Sequence, residues 1–360
     1  MTAMYAVLMA GGSGTRFWPA SRQARPKQLL PIGGDLPLLV ETSERLGELI
    51  PPERQFVITS QLTVDAVRAL LPGLPPEQVV GEPEGRDTAP CLGLAGRLVA
   101  AVDPDALVVA MPSDHVITPP ELFREHLELA RDALDAHPER LLVFGIEPTH
   151  PATGYGYLRQ GAVQGEFGGK PIYKLDAFIE KPKLERAKAL LAEGGYSWNA
   201  GLFAFRPKAL RDAFLSHLPD MVPGLDAIAD AFGSDKFESC LNEVFPTLQK
   251  VSIDVGVMEK LDGTLMLPLP VNWNDVGSWT ALENLKPADD DGNVIVGEAV
   301  LLNTTSTIVS ADGGVVAARG VDGLIIVHTP DATMVCRRDD DQGVKDIVAA
   351  LRARGLEAYL

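Results

Sequence analysis

An apolar run at residues 5–10 leads directly into Gly11-Gly12-Ser13-Gly14-Thr15-Arg16, and this junction constrains the fold more than any other stretch of the 360-residue chain. Short apolar runs bounded by turn residues read as buried strands. Glycines placed straight after such a strand let backbone N–H groups approach an anion without Cβ obstruction. Apolar runs at 55–59, 106–111 and 141–146 repeat the strand signal, and amphipathic stretches at 38–50, 62–71, 89–102 and 121–136 read as helices. Alternation of this kind predicts βαβ units: a Rossmann-like, doubly wound α/β domain with a mainly parallel sheet and helices on both faces. Ligands of such sheets bind at the carboxyl ends of the strands, so every loop that follows a strand is a candidate site.

Beyond about residue 155 the pattern loosens. Strand candidates at 155–160, 172–179 and 202–206 read as an insertion that covers the sheet edge and takes a second substrate. Residues 286–292, Lys-Pro-Ala-Asp-Asp-Asp-Gly, read as a linker. After them, short runs of Val, Ile, Thr and Gly are broken by turn residues roughly every six to nine positions, which predicts a β-solenoid or small sandwich. A helix at 339–355 closes the chain, with Val344, Ile347, Val348 and Leu351 on one face. The expected division is a catalytic domain over 1–286 and a C-terminal solenoid with its helix over 293–360.

With 32 Lys+Arg against 49 Asp+Glu, the net charge of −17 repels nucleic acid and anionic lipid, so neither is expected as a partner. A small anion remains acceptable only where basic residues gather locally. No run approaches the ~18 apolar residues of a membrane span, and the opening run is too short for a cleavable signal peptide. A cytoplasmic protein is expected. Cys91, Cys240 and Cys336 lie far apart without CxxC spacing, which indicates reduced thiols rather than disulfides or a zinc site.

Arg16 and Lys27 supply the local positive charge, on the glycine loop itself. Arginine suits a forked grip on a pyrophosphate, and lysine acts as a point charge near one phosphoryl centre. The loop lacks the Gly-Lys-Ser/Thr of a Walker A sequence. It lacks a third glycine as well, because Gly12-Ser13-Gly14 continues as Thr15-Arg16-Phe17. A purely structural glycine turn with surface cations is the competing reading.

Residues 11–28 as a whole (GGSGTRFWPASRQARPKQ) resemble the nucleotidyltransferase motif of the sugar-phosphate pyrophosphorylases. The version with Trp18-Pro19 and Ser21-Arg22 is similar to that of the mannose-1-phosphate guanylyltransferases. Phe17 stands where that family usually has Leu. Further blocks follow in family order: GEPEGRDTAP at 81–90, MPSDH at 111–115, TGYGYL at 153–158, FIEKP at 178–182, WNAGLF at 198–203, SIDVGVMEK at 252–260 and WNDVGSW at 273–279. The resemblance therefore covers nearly the whole chain. It implies transfer of GMP from GTP to α-D-mannose 1-phosphate with Mg²⁺, on a nucleotidyltransferase domain followed by a solenoid like a left-handed β-helix. Some bacterial relatives continue into a cupin-type isomerase domain; a chain ending at Leu360 is expected to carry out only the transfer.

The implied roles fall on particular residues. Ala10, Gly11, Gly12, Ser13, Gly14 and Thr15 would hold the nucleotide phosphates, and Arg16 and Lys27 would be catalytic. Asp114 and Asp275 would ligate Mg²⁺, which takes near-octahedral oxygen coordination with few protein ligands; a turn or N-cap role for Asp114 stays open, and His115 reads as structural. Glu82 would contact the base, since a carboxylate can accept guanine N1–H and 2-amino together, although a solvated loop acid is the alternative. Arg86 and Thr88 would help hold the nucleotide, while Asp87 stands where Asn is more usual. Glu180 and Asn199 would read sugar hydroxyls, Lys181 would hold the sugar phosphate, and Gly156 would let the sugar approach the backbone; a plain surface pair is the alternative for Glu180-Lys181. Asp254 reads as an N-cap or a third metal ligand, ahead of Val255 where an aromatic residue is usual. The solenoid offers a homodimer surface. A catalytically silent regulatory subunit would have lost the charged residues that are present here, and an NAD-linked oxidoreductase does not fit the loop pattern.

Overall fold

The opening apolar run forms β1 (Met4–Ala10), buried along almost its whole length, as expected of a strand covered on both faces. The computed structural model describes residues 2–12 and 14–360. Contacts divide them into two compact units. The first comprises Met1–Gly11, Ser43–Pro112 and Ile117–Trp273; the second comprises Gly12–Thr42, Ser113–Val116 and Asn274–Leu360.

The first unit is built on a nine-stranded sheet. Its strands are β1, β2 (Gln55–Ser60), β3 (Val79–Glu82), β4 (Leu107–Pro112), β6 (Leu141–Ile146), β7 (Tyr157–Phe167), β8 (Lys170–Ile179), β9 (Tyr196–Phe205) and β10 (Leu265–Pro268); the short β5 (Val116–Thr118) and β11 (Asn272–Asn274) stay out of it. The order is β3-β2-β1-β4-β9-β6-β10-β8-β7. The β3-β2-β1-β4 half is parallel, with Val57 opposite both Leu8 and Val79. From there the sheet is mixed. β9 runs antiparallel to β4 and β6, and β7 and β8 form an antiparallel hairpin turning at Gly168-Gly169. The segment expected to cover the sheet edge therefore extends the sheet instead. β8 pairs antiparallel with β10 as well, and the start of β7 pairs antiparallel with β9 at Tyr157–Arg159, so both hairpin strands find further backbone partners in the sheet. Helices Thr88–Val102, Pro207–His217 and Val222–Asp230 bury Leu92, Phe214 and Leu225 in one large apolar cluster with Val7, Phe56 and Val108 of the sheet.

The second unit carries a solenoid. β12 (Val294–Val296), β14 (Ile308–Ala311) and β16 (Leu324–Thr329) stack in parallel, with Val294 on Ile308 and Ile308 on Ile325. β13 (Ala299–Leu302) lies parallel to β15 (Val316–Arg319), and β17 (Ala332–Arg337) closes the stack antiparallel to β16. Each of these strands falls on one of the short apolar runs of the sequence. The closing helix, Val344–Ala353, packs Val344 and Val348 into the same core as Ile308, Ile325 and Met334. Phe17, Trp18, Leu30 and Ile32 belong to that core too, so the loop after β1 is folded with the solenoid. The acidic stretch read as a linker is an ordered turn. Asp289 Oδ1 accepts the N–H groups of Asp291 and Asn293 at 3.0 and 2.8 Å, and the buried Asn293 amide donates to Thr304 O at 2.8 Å.

Candidate active site

Lys27 is the centre of one cluster, within the second unit. It opens a single 3-10 turn, Lys27–Leu29, and is only 6% exposed. Its Nζ lies 2.9 Å from Asp114 Oδ2 and donates to the carbonyls of Asp275 and Val276 at 2.7 and 2.8 Å. An ammonium has three donors, and all three are used. The carbonyls are aimed by a turn in which Asn274 Oδ1 accepts Val276 N–H at 2.7 Å while Val276 holds φ 49°. Burial pushes the Asp114 carboxyl up, but the charges of Lys27 and His115 and the Lys27 hydrogen bond outweigh it, so the group sits below the usual range.

The glycine loop closes on the same lysine. At φ 57° Gly14 already favours glycine, and a Cβ there would fall 2.5 Å from that of Lys27. Ser21 Oγ donates to Gly14 O at 2.7 Å. Phe17 packs against Trp279 at 5.0 Å between ring centroids, and Trp18 Nε1 donates to Tyr359 O at 2.7 Å. Gly12 and Arg16 are exposed and Thr15 is half-buried; Ser13 lies outside the described residues. The loop thus presents Arg16 to solvent from an anchored base, while Lys27 is drawn inward. Among the described residues no three acidic, His or Cys side chains gather as a metal cage. A cation here would rely on the Asp114 and Asp275 carboxylates plus ligand oxygens, a hard donor set that fits Mg²⁺.

In the first unit, β1 ends at Ala10 and β3 ends at Glu82, whose side chain lies beside Gly11. Glu82 is 7% exposed, and its Oε1 has no hydrogen-bond partner. Burial pushes its carboxyl up to about 7, with the Cys91 thiol pulling the other way. Asp87, at φ 69°, caps the following helix by accepting Thr88 N–H at 2.8 Å. Thr88 Oγ1 accepts Ile253 N–H at 2.9 Å, and Arg86 pairs with Glu84 at 3.0 Å.

The four expected sugar-phosphate residues come together elsewhere in this unit. A Cβ on Gly156 would lie 2.8 Å from Glu180 Oε2 and 3.3 Å from Asn199 Cβ, so the missing side chain is what leaves room between these two residues. Lys181 Nζ bonds Glu180 Oε1 at 2.5 Å. Partial burial pulls the Lys181 pKa down, but the hydrogen bond and charge of Glu180, with Asp254 and Asp87 adding, raise it overall. Asn199 Nδ2 donates to Asp254 Oδ1 at 3.0 Å, and Asn199 Oδ1 accepts Gly201 N–H at 3.0 Å. Asp254 opens a π-helical turn, Asp254–Met258. Its carboxyl is raised to about 6, first by burial and then by the Glu180 charge.

The sequence matches the Nucleotidyl transferase family over residues 5–292 and the MannoseP isomerase/GMP-like beta-helix domain over residues 297–351. A mannose-1-phosphate guanylyltransferase of Klebsiella pneumoniae is 36% identical over 98% of this chain and 75% of its own length. One from Escherichia coli K12 is 34% identical over 98% of this chain and 74% of its own length. The chain belongs to the mannose-1-phosphate guanylyltransferase family. A solved structure from Thermus thermophilus, described as a mannose-1-phosphate geranyltransferase, matches with a TM-score of 0.87 and 36% identity over 98% of this chain and all of that one.

Membership in the guanylyltransferase family makes the protein a nucleotidyltransferase enzyme acting on nucleotide and sugar-phosphate substrates, of a kind that generally uses a divalent metal. Among the described residues no helix is long and apolar enough to cross a membrane. Two residues of the clusters are not assigned their observed contacts by sequence reasoning. Asp254 reads there only as a cap or metal ligand, although its place in a family block marks it. Cys91 gives no local signal beyond being a thiol nine positions after Glu82.

Proposed function

We propose that the enzyme transfers GMP from GTP to α-D-mannose 1-phosphate, forming GDP-mannose and pyrophosphate. The observation that carries the choice of base is the buried Glu82 carboxyl with an unpartnered Oε1. A buried acceptor without a partner is costly, and guanine N1–H with its 2-amino group supplies two donors in parallel, which adenine, uracil and thymine do not.

In this reaction a phosphate oxygen of mannose 1-phosphate attacks the α-phosphorus of GTP in line. A new P–O bond forms as the bond to the β-phosphate bridge breaks, and pyrophosphate leaves. No protein nucleophile is needed, because positioning and charge carry such transfers. Ala10, Gly11, Gly12, Ser13, Gly14 and Thr15 hold the polyphosphate, with Arg86 and Thr88 supporting the nucleoside. Arg16 grips the departing pyrophosphate from the exposed side of the loop. Lys27 gives up part of its contact with Asp114 to meet the α-phosphoryl group. Asp114 and Asp275 would hold a Mg²⁺ ion, which would supply positive charge to the phosphate oxygens. Gly156, Glu180, Lys181 and Asn199 take the sugar phosphate. Residues 1–286 carry the catalytic residues and 293–360 the solenoid, whose core takes in Phe17 and Trp18 of the glycine loop. The reaction belongs in the cytoplasm, and the exposed Val300 and Leu302 of the solenoid fit a homodimer surface.

Pyrophosphate release across the ribonucleoside triphosphates, dTTP and several hexose 1-phosphates, with and without Mg²⁺, tests this. GTP with mannose 1-phosphate should be the preferred pair. Preference for UTP or dTTP would overturn the base assignment, and absence of release with any pair would indicate a silent subunit.

A further inference from the structure

We propose that Asp254 is the positioning residue of the sugar-phosphate subsite: by accepting the Asn199 amide it fixes which end of that amide meets the sugar, beside the Glu180 carboxylate. This rests on the function proposed above and adds to it a residue with no role there.

An Asn side chain has two N–H donors and two acceptor lone pairs, and its two ends are nearly the same shape. Here both ends are specified. Asn199 Nδ2 faces Asp254 Oδ1 at 3.0 Å, where an ionised carboxylate can only accept, and Asn199 Oδ1 faces Gly201 N–H, which can only donate. One donor and one lone pair of the amide are then left with fixed directions. The Asn199 backbone is itself tied, its N–H donating to Gly156 O at 2.8 Å. Glu180 Oε2 lies across the gap left by Gly156 and contributes a second fixed acceptor. Hydroxyls of a hexose are told apart by such a pattern of donors and acceptors held in place.

The charged groups facing Asp254 are Glu180 and Lys181, one of each sign, with Asp87 acting on Lys181 from the loop after β3. Burial and the Glu180 charge raise the Asp254 carboxyl to about 6. Below that pH it carries a proton of its own to donate and no longer dictates the Asn199 orientation. Sugar-phosphate binding should therefore weaken as pH falls through 6 for a reason within the protein. Phosphate monoesters themselves ionise a second time at about pH 6, so the slope must be compared with that of a variant lacking the carboxyl.

The test measures KM for mannose 1-phosphate and for GTP by pyrophosphate release between pH 5.5 and 8.5, in wild type, Asp254→Asn and Asp254→Glu, with melting temperatures alongside. At pH 8 Asp254→Asn should raise the mannose 1-phosphate KM about tenfold or more and leave the GTP KM within about twofold, the signature of lost binding at one subsite. Its remaining pH slope should be that of the ligand alone, and Asp254→Glu should restore part of both effects. An active wild type whose Asp254→Asn variant keeps the same mannose 1-phosphate KM and pH slope overturns the positioning role and leaves the proposed function standing. Equal rises in both KM values with a lowered melting temperature overturn it as well, in favour of general disruption. A wild type that does not use mannose 1-phosphate removes the function and this role together.

Discussion

Lys27 and Asp114 form a 2.9 Å ion pair in which the lysine is buried and the aspartate is partly open to solvent. A cation meant for a phosphoryl group is thus held by protein acceptors before any ligand arrives. Removing it should have two consequences. Lys27→Ala leaves one carboxylate and two carbonyls without their donor, a loss of about 3 kcal/mol at the low end for broken buried pairs. It should also slow transfer on the order of a hundredfold, as loss of a single electrostatic group does. Arg16→Ala should separate the two effects, because an exposed side chain costs within about 0.5 kcal/mol while the rate still falls. Urea unfolding and pyrophosphate release on both variants check this; equal stability losses would show that the two cations are not differently placed.

Acid should reveal the same pair from the other partner. The Asp114 carboxyl is depressed below its ordinary 3.8 in the folded chain. Its contribution is present above that value and is lost as pH falls through the lower folded value. Asp114→Asn should be less stable than wild type by about 2 kcal/mol at pH 7, the scale of a charge-assisted hydrogen bond. The difference should shrink below pH 4 and vanish at stronger acid. A difference that stays constant from pH 7 to pH 3 would mean that the ion pair contributes nothing.

The parts of this architecture written in local pattern were legible in the sequence. Buried parallel strands show as unbroken apolar runs, so β1, β2, β4 and β6 stand out, and each solenoid strand coincides with a short Val/Ile run. The antiparallel half was less legible because β7 is buried only at Tyr157 and Leu158, shows no regular alternation after them, and carries bulges against β8. Membership of the glycine loop in the solenoid core depends on contacts such as Trp18 with Tyr359, 341 positions apart, which no local window contains. The same holds for the site. Glycines and cations on one loop announce a phosphate grip, but the inward draw on Lys27 comes from carbonyls at 275 and 276, and the Asn199–Asp254 bond spans 55 positions.

Phe17 tests whether the loop's anchor matters to its chemistry. Its ring is fully buried against Trp279, next to the exposed Arg16. Phe17→Ala should cost about 3–5 kcal/mol through the cavity it leaves. Phe17→Leu, which refills most of that volume, should cost about 1 kcal/mol and keep near-normal transfer. If the leucine variant is stable but loses most of its activity, the ring has a role beyond packing.

Glu82 should show a conflict between stability and function. Its carboxyl is raised from 4.5 to about 7, chiefly by burial, so the folded chain holds its proton more tightly than the unfolded chain. Stability from this group is complete below pH 4.5 and is lost as pH rises through 7. Across that window the loss is on the order of 3 kcal/mol, from the conversion of about 1.4 kcal/mol per pK unit. Glu82→Gln cannot ionise, so its stability relative to wild type should climb by that amount between pH 4 and pH 8, whatever the constant offset from the new amide. The same variant should bind GTP poorly at pH 8, because the amide presents a donor where guanine also donates. Wild-type affinity for GTP should in turn strengthen as pH rises through 7 and the carboxylate forms. Denaturant melts and GTP titrations at matched pH give both quantities. A flat stability difference, or unchanged GTP binding in the glutamine variant, would remove Glu82 from the base subsite.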